Sequence, residues 1–417
     1  MNTFITTDWV SMKALRLLLN KLAVSLYFND DYASEYQRAF SPGETIRIQY
    51  PPLWAIRNGI GYDPQAVQQI YTTITVDQIF GIDFQWDDVE AALKLERDDK
   101  RVNDFYMKGP MKKIAQEWDL RSALFGYVYS PNCVGVLGTN PTSFTTFSAG
   151  AEQILFEQAG IDGTEEAGET AQIISAGMNT SLVGGMQTTY NPQYRPDSKQ
   201  FKKWEPGMVA GFDVIRSMSL RRHTNGTVAG AFTVAGADQS GSALTVNLTA
   251  GDTITKGTKI GIADVYPTNP MTRETVTTAR TFIFSVTEDL TAAGGGVDVL
   301  QITPPIYGPL SVFQNVSALP ANGATLTVTP GTSSPNAKTG IVGLALQRDA
   351  FFRVNVPLQL PKAVEIAKQH RDPETGFSIR FTRTWDAIQS RDINRFDTLG
   401  GYGIGYNFNS SVALLGA

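Results

Sequence analysis

The chain has few of the residues on which most enzyme and secreted-protein sites depend. Its 417 residues include one cysteine and two histidines. A single cysteine, Cys133, excludes an intramolecular disulfide and therefore a disulfide-stapled scaffold. Val134 and Val136 flank it, a pattern typical of a buried small apolar side chain rather than a nucleophile.

Motifs for catalysis and cofactor binding are also missing from the sequence. His223 and His370 lie far apart, and there is no nucleophile elbow, Walker phosphate loop or zinc-ligand spacing. The glycines of residues 400–405 do not have the spacing of a dinucleotide fingerprint. The prediction is a protein that is not an enzyme, with no catalytic residues, no cofactor and no metal. Composition alone leaves room for a glycosidase that uses only carboxylates, although nothing points to one.

Charge is sparse and slightly negative. Charged residues make up 18% of the chain and the formal net charge is −5. This balance argues against tight, sequence-independent DNA binding, which needs a basic stripe. The carboxylates at 83, 87, 88 and 90 have no calcium-loop spacing and favour a solvated face over a metal site. His223 follows Arg221 and Arg222 and could contact phosphate, although a surface loop at a domain junction is the favoured interpretation.

Long hydrophobic runs are absent as well. The leucine-rich N-terminal stretch is interrupted by Lys13, Arg16 and Lys21, so it falls short of the roughly 18 apolar residues of a membrane span. We therefore expect no membrane partner. Its apolar residues instead predict an amphipathic helix, which packs either on its own domain or on a neighbour. The predicted stripe comprises Trp9, Met12, Leu15, Leu19, Leu22 and Leu26.

Extended and helical patterns follow. Alternation over 44–50 and 70–76 predicts two strands separated by a long loop, which together form an extended two-stranded arm. Aromatic residues in that loop favour an interaction surface over a covered local cluster. Apolar residues at helical spacing from Met111 to Val128, with Pro110 in the first turn, predict a long helix that stops at Ser130.

Residues 225–340 differ from the rest of the chain. They are rich in Thr, Val, Ala and Gly and poor in charge, whereas the segments on either side have mixed helical and strand patterns. Alternating runs separated by glycine-containing turns predict an inserted all-β domain, a small barrel or sandwich. These runs are 243–248, 258–262, 281–286, 297–302 and 324–328.

Several segments resemble one known family in the same order. Residues 209–217, VAGFDVIRS, resemble the stretch ahead of the insertion domain in the coat protein of P-22-type short-tailed phages. Residues 343–351, GLALQRDAF, are similar to a segment beyond that insertion, with Gly343 and Gln347 where the family has Asn and His. Within the insert, residues 256–260, 284–286 and 302–304 fall in matching order. The resemblance covers essentially the whole chain.

The resemblance implies an α+β protein with the Hong-Kong-97-type capsid fold and an inserted barrel-like domain. Its expected parts follow the family's order along the chain. They are an N-terminal arm (1–40), an E-loop (41–76), a peripheral domain with the spine helix (77–145), the first part of the axial domain (146–224), the β-insert (225–342) and a return to the axial and peripheral domains (343–417). The loop over 235–241 is shorter than in much of the family, so we do not transfer the family's two-fold contact to it.

The function implied is that of a major capsid protein in a virion. Its expected partners are copies of itself in pentamers and hexamers of an icosahedral shell, a scaffolding protein, a portal protein at one vertex, and packaged double-stranded DNA in loose contact. Assembly is expected in the host cytoplasm. The alternatives are an encapsulin-like compartment, which shares the fold, and a β-rich adhesin or fibre protein.

Two groups of residues are predicted to contact neighbouring subunits. Trp54, Arg57 and Tyr62 are candidate anchors in the E-loop, because aromatic residues and arginine dominate interface hot spots. Lys13, Arg16 and Lys21 are candidates for contact with an acidic scaffold or neighbour.

Overall fold

The computed structural model describes most of the chain. The described residues are 7–19, 21–30, 45–49, 59–61, 64, 71–87, 108–159, 170–185, 207–228, 232–269, 272–311, 313–328, 338–362, 366–372, 375–386, 388, 391–405 and 411–417. The chain divides into two compact units. Unit 1 comprises Met1–Ile48, Tyr71–Ser122 and Phe351–Ile404; unit 2 comprises Gln49–Ile70, Ala123–Ala350 and Gly405–Ala417.

Helices and strands are numbered in chain order. The helices are α1 (Thr7–Leu19), α2 (Lys108–Tyr129), α3 (Phe144–Ala159) and α4 (Ala176–Gly185). The strands are β1 (Thr45–Gln49), β2 (Tyr71–Asp87), β3 (Cys133–Gly135), β4 (Thr170–Ile174), β5 (Met208–Val209), β6 (Phe212–Arg216), β7 (Arg222–Thr224), β8 (Phe232–Val234), β9 (Gly241–Leu248), β10 (Thr253–Ile254), β11 (Lys259–Ile262), β12 (Ile283–Val286), β13 (Leu290–Thr291), β14 (Gly296–Ile306), β15 (Thr325–Val328), β16 (Thr339–Gln347), β17 (Phe351–Val356), β18 (Ile366–Arg371), β19 (Ser378–Asp386), β20 (Arg391–Ile404) and β21 (Ser411–Leu415).

Unit 1 is built on a six-stranded sheet. Its order is β1-β2-β20-β19-β18, and β17 also pairs with β20. The part of α2 up to Ser122 belongs to this unit and buries Trp118 completely. Three aromatic rings surround Trp118, those of Phe80, Phe377 and Tyr402, at centroid distances of 5.1, 5.4 and 6.0 Å. Such edge-on contacts add to the area that the aromatic side chains bury, so this cluster centres the core of unit 1.

Two expectations for unit 1 were wrong in detail. The strand predicted over 70–76 continues to Asp87, because β2 pairs antiparallel with β20 along almost its whole length. The acidic stretch begins within this strand, since Asp83 and Asp87 belong to β2. In α1 the buried side chains are Ser11, Ala14, Leu15 and Leu18, whereas Met12 of the predicted stripe is 46% exposed.

Unit 2 contains a seven-stranded mixed sheet with α3 and α4. Its order is β3-β21-β16-β4-β6-β5, and β7 pairs with β16. The sheet is hydrophobic where it meets α3, with Phe147, Ile154 and Val412 in one buried cluster. Cys133 is free and buried, as the sequence predicts. His223 lies in strand β7 and is buried, so the expectation of a surface loop was wrong.

The insert is a closed barrel of six strands in the order β11-β12-β14-β9-β8-β15, and the predicted barrel-like domain is confirmed. The five runs predicted from alternation correspond to β9, β11, β12, β14 and β15. Inward residues such as Val246, Ile260 and Phe284 form its own hydrophobic core. The first and last strands that flank the insert lie side by side, with Thr224 opposite Thr339 in the β7–β16 ladder.

Candidate functional site

The inserted barrel is attached to the end of α2 through a buried lysine. Helix α2 stops before Pro131, and the last carbonyls of a helix have no partner within it. Lys259 of β11 supplies one: its Nζ donates to the carbonyl oxygens of Tyr127 and Ser130, each at 2.6 Å. It also donates to Ser285 Oγ at 2.8 Å, and it lies 4.5 Å from the centroid of the Tyr127 ring. We call this set, Tyr127, Ser130, Lys259 and Ser285, the barrel seat.

The barrel seat uses the outward face of two barrel strands. All four residues of β11 and all four of β12 are buried. Ile260 and Phe284 point into the barrel core, and their neighbours Lys259 and Ser285 point outward, towards α2. Ser285 Oγ donates to the carbonyl of Val128, and the amide of Asn132 donates to the carbonyl of Ile283 at 3.2 Å. The side chains of Lys259 and Ser285 therefore satisfy three backbone carbonyls at the helix end, those of Tyr127, Val128 and Ser130.

Burial changes the protonation of the groups around the seat. Burial lowers the pKa of Lys259 to about 7, and Cys133 opposes this effect. Burial, assisted by the positive charge of Lys259, lowers the pKa of His223 to about 4. Burial also raises the pKa of the Cys133 thiol to about 12, which makes it an unreactive core residue. The amine of Lys259 is thus bound by neutral oxygens and an aromatic ring, and it loses its charge as the pH rises through about 7.

A second attachment joins the barrel to α3. Arg280 Nη2 lies 3.0 Å from Glu157 Oε2, and both side chains are about three-quarters buried. Burial lowers the pKa of Arg280, and Glu157 opposes this shift. Since the pair is partly shielded from water, it restrains the barrel more than an exposed pair would.

In unit 1, two side chains fix the segment that follows α1. The carboxylate of Asp119 accepts hydrogen bonds from the amides of Ala23, Val24 and Ser25, at 2.9–3.0 Å, and from Ser25 Oγ at 2.9 Å. Burial raises the pKa of Asp119, and these hydrogen bonds oppose the shift. The segment is thereby bound to α2 through its own backbone.

Arg353 holds the next part of the same segment. Its Nη1 donates to the carbonyl of Ser25 at 2.9 Å, and its guanidinium stacks 4.0 Å from the centroid of the Phe377 ring. Asp30 lies 3.6 Å away. The amide of Arg353 donates to the carbonyl of Asn29, so the segment also pairs with β17. Together with Asp119, these contacts anchor residues 23–30 within unit 1.

The residues predicted to contact neighbours are placed only in part. Arg16 and Lys21 are exposed on and just after α1, and Lys13 is half-buried. Trp54, Arg57 and Tyr62 lie outside the described residues.

Sequence reasoning missed Lys259, Asp119 and Arg353. Lys259 sits at an outward position of a predicted strand, which is typical of a solvent-facing lysine, and its partners lie about 130 residues away in the chain. The sequence hinted at this contact only at the end of the helix, where Ser130-Pro131 stops α2 and leaves its last carbonyls without partners.

None of the helices in the described part of the chain has the length and apolar character of a membrane span. Over the same residues no cluster of His, Cys, Asp and Glu could hold a metal ion.

Comparison with known proteins identifies this architecture. A family model described as "P22 coat protein - gene protein 5" matches residues 106–406, a range that contains α2, β20 and all the elements between them. The chain is a structural protein, the major capsid protein of a tailed phage, and it self-assembles into the shell of the virion. It belongs to the P22 coat protein family. The predicted Hong-Kong-97-type capsid fold with an inserted barrel is confirmed, whereas the compartment and adhesin alternatives are not supported.

Solved structures from several phages are similar to the chain, and two of the three described here are capsid structures. Mycobacterium phage Che8 gives a TM-score of 0.46 at 12% identity, covering 94% of this chain and 90% of that chain. The capsid of cyanophage P-SCSP1u gives 0.41 at 13% identity, covering 91% and 85%. The mature capsid of bacteriophage PhiM1 gives 0.41 at 12% identity, covering 93% and 87%. No curated protein matches the chain.

Proposed function

We propose that this capsid protein forms the pentamers and hexamers of an icosahedral phage head that encloses double-stranded DNA. Assembly takes place in the host cytoplasm around a scaffolding protein, with a portal protein at one vertex, and the subunit catalyses no reaction. The observation that carries this proposal is the match of the coat-protein family over residues 106–406. The net charge of −5 agrees with a shell that surrounds DNA without gripping it.

The proposed contacts between subunits use the N-terminal arm and the E-loop. Helix α1 turns Ala14, Leu15 and Leu18 inward, which leaves Arg16 on its open side. A cation at this place suits an acidic scaffold or neighbour, because complementary charge speeds encounter and fixes register. Trp54, Arg57 and Tyr62 are the proposed E-loop anchors, since such residues supply most interface energy.

Negative-stain electron microscopy of the protein expressed with and without its scaffold tests the proposal. We expect closed, uniform shells or tubes of subunit lattice. A monodisperse monomer or trimer under all conditions would contradict the capsid assembly proposed here.

Charge reversal tests the arm contacts. Arg16→Glu and Lys21→Glu should reduce shell yield and scaffold uptake, whereas Lys362→Glu, an exposed control in unit 1, should change neither. Thermal unfolding of each soluble subunit shows whether folding is intact. Normal shells with normal scaffold content from both arm variants would contradict a role for Arg16 and Lys21 in these contacts.

A further inference from the structure

A small cavity in unit 2 is lined by basic residues. It lies between the last turns of α2 and the β7–β16 ladder and has a volume of about 30 Å³. That is room for about two water-sized atoms, since one such atom needs roughly 10–15 Å³ of this kind of volume. Its walls are formed by Ala123, Leu124, Tyr127, Arg221, Arg222, His223 and Val342.

Positive charge collects at this cavity although the protein as a whole is acidic. The sequence has no Asp or Glu from Val214 to Ala237. Arg221 and Arg222 are exposed at the cavity, and neither has a carboxylate partner within the described part of the chain. Lys259 adds a buried charge behind the ring of Tyr127, 4.5 Å from its centroid. The helix end would repel an anion by its dipole, but Lys259 already caps those carbonyls.

Negative charge near the cavity is limited and engaged. Asp289 is the carboxylate that acts on His223, and its Oδ1 accepts a hydrogen bond from the amide of Lys256 at 2.6 Å. Glu288 acts on Tyr129 instead, and the remaining titratable neighbours, Tyr127 and Cys133, stay neutral because burial raises their pKa values.

His223 forms the buried wall of the cavity. Its ring lies 5.1 Å from that of Tyr127, and its Nε2 lies 3.0 Å from Asn225 Oδ1. Burial and the nearby Lys259 keep its pKa at about 4, so the ring is neutral at neutral pH. The cavity is thus lined by two exposed arginines that have no carboxylate partner among the described residues, and by a neutral imidazole that an incoming anion would pull towards the charged form.

We propose that this cavity is a binding site for a phosphate-class oxyanion, with Arg221 and Arg222 as its ligands. Two oxygens of the anion fill the cavity and the remainder lies at its mouth, where guanidinium groups bind phosphate in a forked geometry. Free phosphate and the phosphodiester backbone of packaged DNA share this chemistry. The DNA source rests on the proposed function, whereas binding of inorganic phosphate does not.

Histidine NMR tests the site directly, because the chain has only two histidines. In the soluble full-length subunit with labelled histidine rings, inorganic phosphate at constant ionic strength should shift the His223 signal and raise its pKa. The His370 signal, assigned by His370→Gln, should stay in place and serves as the internal control. Equal small shifts of both signals, or none, would overturn the site.

Thermal unfolding gives a second measurement. Phosphate in place of chloride should raise the unfolding temperature of the wild type and of an Arg273→Gln control, but not that of R221Q/R222Q. The same rise in all three proteins would overturn the proposal, as would protection by an acidic peptide but not by phosphate. If the double variant does not fold, R221Q and R222Q are measured singly and the wild-type NMR titration still decides.

Duplex binding separates the two sources. Fluorescence anisotropy with a short labelled duplex gives the slope of log K against log salt, which changes by about 0.9 per phosphate contact. R221Q/R222Q should flatten that slope by about 1.8 if both arginines bind the backbone. An unchanged slope together with lost phosphate binding assigns the site to free phosphate. Wild-type protein that does not bind the duplex rules out the DNA backbone as the source, and it leaves both the phosphate site and the proposed capsid function standing.

Discussion

At the scale of single residues, Lys259 is a buried lysine that links the barrel to the end of α2. It is held by two carbonyls, a hydroxyl and an aromatic face. A buried cation of this kind is costly, and the cost is offset only because each donor finds an acceptor. The lowered pKa of Lys259 reflects the cost of removing its charged form from water.

The stability of the protein should therefore rise with pH above neutrality. The pKa of Lys259 is about 7 in the folded chain against an ordinary 10.5, so the unfolded chain binds an extra proton between these values. The free energy of unfolding then increases with pH by up to about 1.4 kcal/mol per unit in this window, and the contribution is constant below it. Urea unfolding at about pH 7 and about pH 8.5 measures the slope.

Lys259→Met is the matched variant for this prediction, because it keeps the length of the side chain and removes the charge. For this variant, the free energy of unfolding should increase less steeply with pH than it does for the wild type, by up to about 1.4 kcal/mol per pH unit. His223 contributes between about 4 and its ordinary 6.5, below this window, and Cys133 contributes with the opposite sign from its ordinary 9.0 upward, so the measurements at about pH 7 and about pH 8.5 lie between the two. Equal slopes in the two proteins would show that Lys259 does not change protonation on unfolding.

At the scale of elements, α2 can pack closely on β20 because residue 400 is a glycine. A Cβ on Gly400 would lie 2.0 Å from the Trp118 ring and 2.9 Å from the Val354 carbonyl. Gly400→Ala should destabilise unit 1 by about 1–3 kcal/mol, the usual effect of overpacking a core. Thermal and chemical unfolding measure the change.

Two further variants check the cause. Trp118→Phe combined with Gly400→Ala should be less destabilised than the sum of the two single changes, because the smaller ring leaves the space. Gly184→Ala in α4 meets no atom within 4 Å, so it should leave stability unchanged or raise it by up to about 1 kcal/mol. Additive effects at Gly400 and Trp118 would contradict the steric explanation.

Much of the element plan could be predicted from local sequence, and the attachments could not. Alternation identified β9 and β14 because one face of each barrel strand is apolar and the other polar. β2 was predicted too short although the alternation continues beyond Val76, with apolar residues at Phe80, Ile82, Phe84 and Trp86. Its pairing with β20, about 300 residues later, shows that the whole run is one strand. The tie between Lys259 and α2 is equally non-local. The prediction of a capsid protein came from several family-like segments in the same order, because no single residue identifies the family.

At the scale of the whole molecule, the barrel has the features of an independently folding domain. Its core is its own, and the two chain ends that enter it are hydrogen-bonded to each other: the amide of Asn225 donates to the carbonyl of Lys338 at 3.1 Å. Thr224 and Thr339 also meet through their hydroxyls at 2.7 Å. A closed barrel leaves no unpaired edge, so little in it requires the remainder of the chain.

A fragment spanning residues 225–338 should therefore fold alone, with a cooperative unfolding transition and dispersed NMR signals. Outside the subunit, Lys259 loses the carbonyls of Tyr127 and Ser130 and faces water, so its pKa should return from about 7 to near the ordinary 10.5. A lysine side-chain NMR titration, with Lys259→Met to assign the signal, measures this change. A folded fragment whose Lys259 still titrates near 7 would place the cause inside the barrel rather than at α2. An unfolded fragment would show that the barrel needs α2 in order to fold.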